Sequence, residues 1–431
     1  VGRRGGRGTA VLRAGEFDAK GQLRPVSQRA TVLSVLAGLT ALGVAVRFAS
    51  LGVQSYHHDE VITALRVIPG SFGEMLHTVK VSESNPPLYY VLAWGWAKEF
   101  GTDEIGLRSL SALFGAATVP VGYLIGRELA SRRTGLVLAA LIAINPMLIW
   151  YSQEARSYAL LVFFGAVSLL FLVRALNTCR GRDLAWWALA SALALCSHYF
   201  AVFAVAIEAL WLIVALRSRW RLVLPAVGVV VAAGLALLPL ANSQTNPTHI
   251  GWIENSPLLE RLWETAVSFL IGETGHVIAE APRERYALVP IILVAAALIL
   301  VGAWGSRRER RGAALGLVLG LGVVALTAVA ALIGKDYVVE RNLLPALVSL
   351  LAVVAIGFAT VRRLGVLLAV AFCAYWLAFD VHVTQTPNLQ RPDFRTVTDA
   401  LGPPGGRRAI VTWKLAADPV RYYLHDRAVR V

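Results

Sequence analysis

The chain has 431 residues, 57% of them hydrophobic and 16% charged, with a formal net charge of +14. So much apolar surface exceeds what a soluble domain can bury, which excludes a soluble enzyme and points to a polytopic membrane protein. The basic excess does not indicate a nucleic-acid partner, because most Lys and Arg fall in short clusters between apolar runs, the pattern of cytoplasmic loops.

Residues 1–30 are hydrophilic and basic and read as a disordered cytoplasmic tail. The first apolar run, 31–50, lacks a convincing cleavage site and reads as an uncleaved signal anchor. Further runs long enough for about 30 Å of hydrocarbon lie at 108–129, 135–151, 157–176, 184–197, 201–216, 222–241, 286–304, 313–333, 343–361 and 366–380. The expected fold is therefore all-α, a polytopic bundle of about eleven transmembrane helices spanning 31–381, with the N-terminus inside. Cys179, Cys196 and Cys373 are scattered without pairing or metal-ligand spacing, so disulfides are not expected to hold this fold. No internal repeat is visible.

Residues 86–100 are also apolar, but counting them as a crossing would move Arg132-Arg133, Arg180, Arg182 and the clusters at 217–221, 307–311 and 362–363 to the outside. The positive-inside rule argues against that. As an interfacial or re-entrant helix, 86–100 leaves every basic cluster inside. The same parity puts the first external loop (51–107), the 152–156 loop, His198-Tyr199, the long loop 242–285, the 335–341 loop and the C-terminal tail outside. In the long loop, Ser256 as N-cap, Pro257 at the first helical position and Gly272 past the end bracket a stripe of Leu258, Leu259, Leu262, Trp263, Ala266, Phe269 and Leu270. A helix on the membrane surface is expected there. Residues 382–431 turn polar and read as a small external α/β segment, with helix or strand at 394–401, 409–413, 419–425 and 428–431 and the length of a truncated domain.

The outer face carries the chemistry. Tyr56-His57-His58-Asp59-Glu60 follows the first apolar run, and two carboxylates beside two imidazoles are costly to hold near hydrocarbon unless they bind or transform something polar. A plain solvated loop is the alternative. Along the chain follow Asn85-Pro86-Pro87-Leu88-Tyr89-Tyr90, Arg108-Ser109-Leu110-Ser111, Tyr151-Ser152-Gln153-Glu154-Ala155-Arg156-Ser157-Tyr158-Ala159 and Glu340-Arg341-Asn342-Leu343-Leu344-Pro345.

In that order, with Asp59-Glu60 at its head, the series resembles the C-type (GT-C) membrane glycosyltransferases of the protein O-mannosyltransferase and aminoarabinose transferase kind, over roughly 31–361. The resemblance implies a multi-spanning enzyme of the plasma membrane. It would pass a sugar from a polyprenyl-phosphate-linked donor to a glycan, lipid or protein acceptor outside the cytoplasm, with Asp59 in the place of the catalytic aspartate. Mannose is the first guess for the sugar, and arabinofuranose or another pentose stays open. Many relatives carry His before Pro-Pro-Leu-Tyr-Tyr, where this chain has Asn85.

Chemistry gives an independent reason for one carboxylate. A sugar on a phosphate carrier already has a good leaving group, so transfer needs one base rather than a glycosidase's acid and base pair. Asp59 fills that role by accepting the acceptor hydroxyl's proton in a single, inverting displacement; a carboxylate favoured by a helix dipole is the alternative. Glu60 points about 100° away on a helix and reads as a positioning group, towards Arg108 for instance, or as a surface glutamate. Arg341, Arg156 and Lys80 are candidates to grip the carrier phosphate, with interfacial snorkelling the alternative for each. Asn85, Tyr89, Glu154 and His198 are candidate substrate-positioning residues, although aromatic belts and structural ion pairs produce the same pattern. Glu208 falls mid-span, where a lone carboxylate has to face the protein interior.

No cofactor is required by this reading. His57 and His58 with Asp59 are weak candidates for a divalent metal, since adjacent histidines rarely share one ion without ligands from elsewhere. The rival function is a transporter or flippase of lipid-linked sugars. Transporters hold their polar groups near the bilayer midplane, whereas these gather on one side. A non-catalytic scaffold would leave the ordered polar motifs unexplained.

Overall fold

A computed structural model describes residues 25–244, 256–273, 284–401 and 414–424. The tail before residue 25 and the strands expected at 409–413 and 428–431 lie outside them. All regular structure among the described residues is helical.

The first span, α1 (Pro25–Phe48), leads into three short helices, α2 (His58–Ile62), α3 (Phe72–Ser82) and α4 (Leu88–Phe100). A capping box starts α3, with Ser71 and Glu74 satisfying each other's backbone N–H groups. The apolar stretch after Pro86-Pro87 becomes α4, whose 13 residues reach about 20 Å, too short for a crossing. Then come α5 (Glu104–Leu129), α6 (Arg132–Ile144), α7 (Pro146–Ser152), α8 (Tyr158–Thr178), α9 (Gly181–Ser197), α10 (Ala201–Ala215) and α11 (Trp220–Gln244). After α12 (Leu258–Ile271) follow α13 (Glu284–Trp304), α14 (Arg307–Leu332), α15 (Leu344–Thr360) and α16 (Arg362–Gln385). Two short helices, α17 (Phe394–Ala400) and α18 (Lys414–Leu424), are the last among the described residues.

Each of the apolar runs read from the sequence is helical. Among the described residues eight helices are long and apolar enough to cross a membrane, and α6 with α7, bent by 56°, makes a ninth. The bend has a local cause: Pro146 cannot donate to the preceding turn, and Asn145 instead caps α7 by accepting the Leu148 N–H at 3.0 Å. The two remaining runs are the shorter helices α9, of 17 residues, and α10, of 15. This is a multi-pass membrane protein.

Four helices, α5, α6, α8 and α15, form the buried centre, and α1, α11, α13, α14 and α16 surround it with mostly exposed apolar faces. Small residues let the central backbones approach, as in other membrane bundles. A Cβ added to Gly135 would lie 2.4 Å from the Tyr123 carbonyl oxygen of α5, and one on Gly357 would lie 2.2 Å from the Ala297 carbonyl of α13. Gly135→Ala therefore has to spread α5 from α6. It is expected to cost about 1–3 kcal/mol, read as a lowered thermal midpoint in detergent; an unchanged midpoint would contradict this packing.

The connections sort themselves by end. At one end, Arg174 lies 3.5 Å from Glu128, Arg308 donates to the Glu128 carbonyl at 3.0 Å and Arg133 donates to the Ala359 carbonyl at 3.3 Å. The α5–α6, α8–α9, α13–α14 and α15–α16 connections thus share that end. The other end gathers the α1–α5, α7–α8, α9–α10 and α14–α15 connections and the segment after α16, and it holds nearly all the polar motifs. There α2, α3 and α4 pack over a satellite core that includes Tyr56, Val61, Met75, Tyr90 and Leu107. On α12, which begins one residue later than expected and stops at Gly272 with φ 82°, Arg261 turns inward to Asp336 (2.7 and 2.5 Å), while Leu259 and Trp263 are exposed.

Candidate functional site

The site grows from α2. His57 is extended, and its N–H donates to Glu60 Oε2 at 3.0 Å, which fixes the first turn and places Asp59 and Glu60 side by side at the helix start. Beyond Ile62 the helix widens into a π-helical turn, Thr63–Val67, a distortion often found at functional positions.

The two carboxylates have opposite surroundings. Glu60 is fully buried and saturated: Arg108 donates Nε to Oε1 and Nη2 to Oε2, both at 2.7 Å, and the Ala155 N–H donates to Oε1 at 2.9 Å. Arg108 also donates to the carbonyls of Leu51 and Gln54 at 2.7 Å and of Ser55 at 3.0 Å, so one guanidinium from α5 pins the loop that carries the motif. Asp59 is only half-buried, and its carboxylate takes no side-chain hydrogen bond among the described residues. Burial pushes the Asp59 carboxyl up, but the charges of Arg156, Arg341, His57 and His58 outweigh it and bring it down to about 2. For Glu60 burial is likewise outweighed, chiefly by the charge and hydrogen bonds of Arg108, so it too stays ionised.

Arg156, on the sharp connection between α7 and α8, reaches Asp59 from the other side. Its Nη1 donates to Glu83 Oε2 at 2.8 Å and lies 3.4 Å from the Asp59 carbonyl and from Thr63 Oγ1. Its buried Nε has no partner among the described residues, which leaves a donor of the guanidinium unused. Glu83 also accepts from the Tyr90 hydroxyl at 2.5 Å. Arg341, from the 3₁₀ turn Glu340–Leu343 before α15, adds a second positive charge that acts on Asp59.

Glu154 is buried, and Arg391 donates to its Oε2 at 2.8 Å. Burial, with Glu60 and Asp59 nearby, raises the Glu154 carboxyl against the pull of Arg391 and Arg341. His198, between α9 and α10, is buried with its ring 5.4 Å from that of Tyr158, and its Nδ1 accepts the Phe200 N–H at 3.3 Å. Tyr89 is buried in the satellite core, and Asn85 offers its carbonyl to Gln244 at 3.2 Å.

The structure brings Asp59, Glu60, Arg108, Glu154, Arg156, His198 and Arg341 together and keeps Lys80 apart. Lys80 sits exposed on α3 and joins no ion pair among the described residues, because it is its neighbour Val79 that points inward. His57 and His58 do not converge with other ligands either: among the described residues no three His, Cys, Asp or Glu side chains lie close enough to share an ion. Glu83 and Arg391 escaped the sequence reading. For Glu83 a weak signal existed, an acid two residues before Asn85; for Arg391 there was none. Glu208 is buried and accepts from Trp187 Nε1 at 2.7 Å and Ser168 Oγ at 3.2 Å, which accounts for it structurally.

Stability should fall with acid in two stages. Burial is the main reason that His57 is lowered to about 4 and His198 to about 3 from 6.5. Both are neutral when folded and gain protons more readily when unfolded, so stability is expected to drop as pH falls from about 6.5 towards 4. Asp59, depressed to about 2, adds a second loss below its unfolded value of about 4. Thermal midpoints in detergent from pH 8 to 4 test this, and His198→Gln should flatten the upper stage.

Residues 84–241 match the protein family described as dolichyl-phosphate-mannose-protein mannosyltransferase. In structure the chain is similar to the archaeal oligosaccharyltransferase AglB from Archaeoglobus fulgidus, solved with an inhibitory peptide and a dolichol-phosphate: TM-score 0.55, 12% identity, 92% of this chain and 64% of that one covered. It is also similar to ArnT from Cupriavidus metallidurans bound to undecaprenyl phosphate, with TM-score 0.50, 13% identity, and 85% of this chain and 74% of that one covered. The chain thus shares the fold of these GT-C membrane glycosyltransferases, and its residues 84–241 carry the mannosyltransferase family match. At these identities the solved GT-C structures establish the shared fold, and the chain spans less than two thirds of the archaeal enzyme's length. No curated protein matches the chain in sequence.

Proposed function

We propose that this protein transfers a sugar from a polyprenyl-phosphate-linked donor to an acceptor hydroxyl at the extracytoplasmic face of the plasma membrane. The observation that carries the reading is the contrast between the two neighbouring carboxylates: Glu60 is sealed by Arg108, while Asp59 is reachable and faces the charges of Arg156 and Arg341.

In the proposed reaction the donor phosphate lies against Arg156 and Arg341, with the unused Arg156 Nε among the donors available to it. The acceptor oxygen attacks the anomeric carbon as the bond from that carbon to the phosphate oxygen breaks, inverting the centre. Asp59 takes the acceptor proton, and the two arginines stabilise the charge gathering on the leaving phosphate. The donor phosphate also opposes the charges that hold Asp59 down, so donor binding makes Asp59 a stronger base at the moment it is needed. The chemistry uses protein side chains throughout. Mannose is the proposed sugar, on the strength of the family match over 84–241.

The test is transfer by the purified protein in nanodiscs, offered radiolabelled polyprenyl-phosphate mannose, arabinose and aminoarabinose with membrane extract as acceptor. Label passing from one donor supports the reading, and the donor used decides the sugar. Failure with every donor, together with donor-lipid movement across the bilayer, would replace it with the flippase.

A further inference from the structure

We propose that Arg391 is a positioning residue of the transfer site: by bridging Glu60 and Glu154 it sets the spacing between the Asp59 carboxylate and the Arg156 guanidinium. The proposal rests on the general-base reading of Asp59 above.

Arg391 belongs to the stretch between α16 and α17, yet its side chain is only 8% exposed. Nη2 donates to Glu154 Oε2 at 2.8 Å, and Nη1 lies 3.6 Å from Glu60 Oε2. The guanidinium carbon sits 4.4 Å from the centre of the Trp150 ring, and the Arg391 backbone N–H donates to Gln54 Oε1 at 3.3 Å. One residue thereby ties together the α1–α5 connection, the α7–α8 connection and the segment after the last span. Asp59 is the residue before Glu60, and Arg156 comes two after Glu154, so a shift of either bridged carboxylate moves one of the two groups that do the chemistry.

Docking the segment does not explain this bond. Arg395 pairs with Glu104 at 2.6 Å, the Tyr56 N–H donates to the Tyr423 hydroxyl at 2.6 Å, and Arg66 pairs with Asp418 at 2.6 Å. Those contacts hold α17 and α18 on the α1–α5 connection without Arg391. A buried guanidinium is costly to desolvate, and what it adds here is a rigid fork between two carboxylates. Reacting groups displaced by about 1 Å lose about 100-fold in rate, so spacing is where such a fork has its effect.

The experiment compares wild type, Asp59→Asn, Arg391→Lys and the double variant Glu154→Gln/Arg391→Gln in the nanodisc assay, with thermal midpoints of each. The double variant removes both charges, so no bare carboxylate is left buried. It is expected to fold, to keep a donor KM within about twofold and to lose about 10–100-fold in kcat. Arg391→Lys retains the charge without the fork and is expected to fall between the double variant and wild type. Wild-type kcat in the double variant would overturn the proposal, since Arg391 would then only neutralise Glu154. Full activity in Arg391→Lys, or a raised donor KM at constant kcat, would overturn it as well. Should Asp59→Asn transfer normally, the general-base reading falls, and this proposal falls with it by a separate and recognisable result.

Discussion

Replacing Asp59 with Asn is expected to cut sugar transfer by about 10²–10⁴-fold, the usual contribution of a positioned general base, while leaving the protein folded. The folding half follows from geometry. Asp59 is half-buried and takes no side-chain hydrogen bond among the described residues, so an isosteric amide leaves no partner stranded. Donor affinity should hold or tighten, because the substitution removes a negative charge beside the arginines that would hold the phosphate. The expected signature is therefore a collapse of kcat without a rise in donor KM. Near-normal kcat would place the base elsewhere. A pH profile adds a second check with a definite sign. In the free protein Arg156 and Arg341 hold Asp59 at about 2, and a bound phosphate offsets them, so the acid limb of kcat should lie at higher pH than that of kcat/KM.

Local features of the chain were readable in advance, and contacts between distant segments were not. The spans were legible because a crossing requires about 20 consecutive apolar residues, a pattern that survives without any partner. The α6–α7 bend was foreshadowed by Asn145-Pro146, though the sequence reading treated 135–151 as one run. Asp59 and Glu60 stood out as adjacent acids next to a span, and the resemblance to a known family gave Arg108, Arg156 and Arg341 their context. Glu83 and Arg391 behaved differently. Their bonds join residues 73 and 237 apart in the chain, and an ion pair at such range leaves no periodicity, cap or turn to read. Lys80 shows the converse error. The sequence names it as a cation able to grip the carrier phosphate, but helical geometry turns neighbours about 100° apart, and Val79 takes the inward position. Its charge proposed it, and the facing of α3 turns it away from the other site residues.

The largest effect on stability is expected at Arg108. Arg108→Met deletes the charge that compensates Glu60, a carboxylate with no exposed surface, and removes three donors to the backbone of the 51–55 stretch. Breaking a buried pair from one side typically costs about 3–5 kcal/mol, a large part of the 5–15 kcal/mol that holds a typical protein together. Glu60→Gln should cost less, because Arg108 keeps the carbonyls of Leu51, Gln54 and Ser55, while one of the Ala155 and His57 N–H groups, which meet different Glu60 oxygens, loses its acceptor. The double variant Glu60→Gln/Arg108→Met should recover part of the stability lost by Arg108→Met alone, since no uncompensated charge is then left inside. Denaturant titration in detergent reads all three. A double variant that shows no recovery would mean that Arg108 acts through its backbone bonds alone, and an order in which Glu60→Gln is the worst would mean that those bonds count for less than the ones the Glu60 carboxylate accepts. Activity should follow the same order, because α2 is held in place by this pair, and the reachable carboxylate stands one residue away from it.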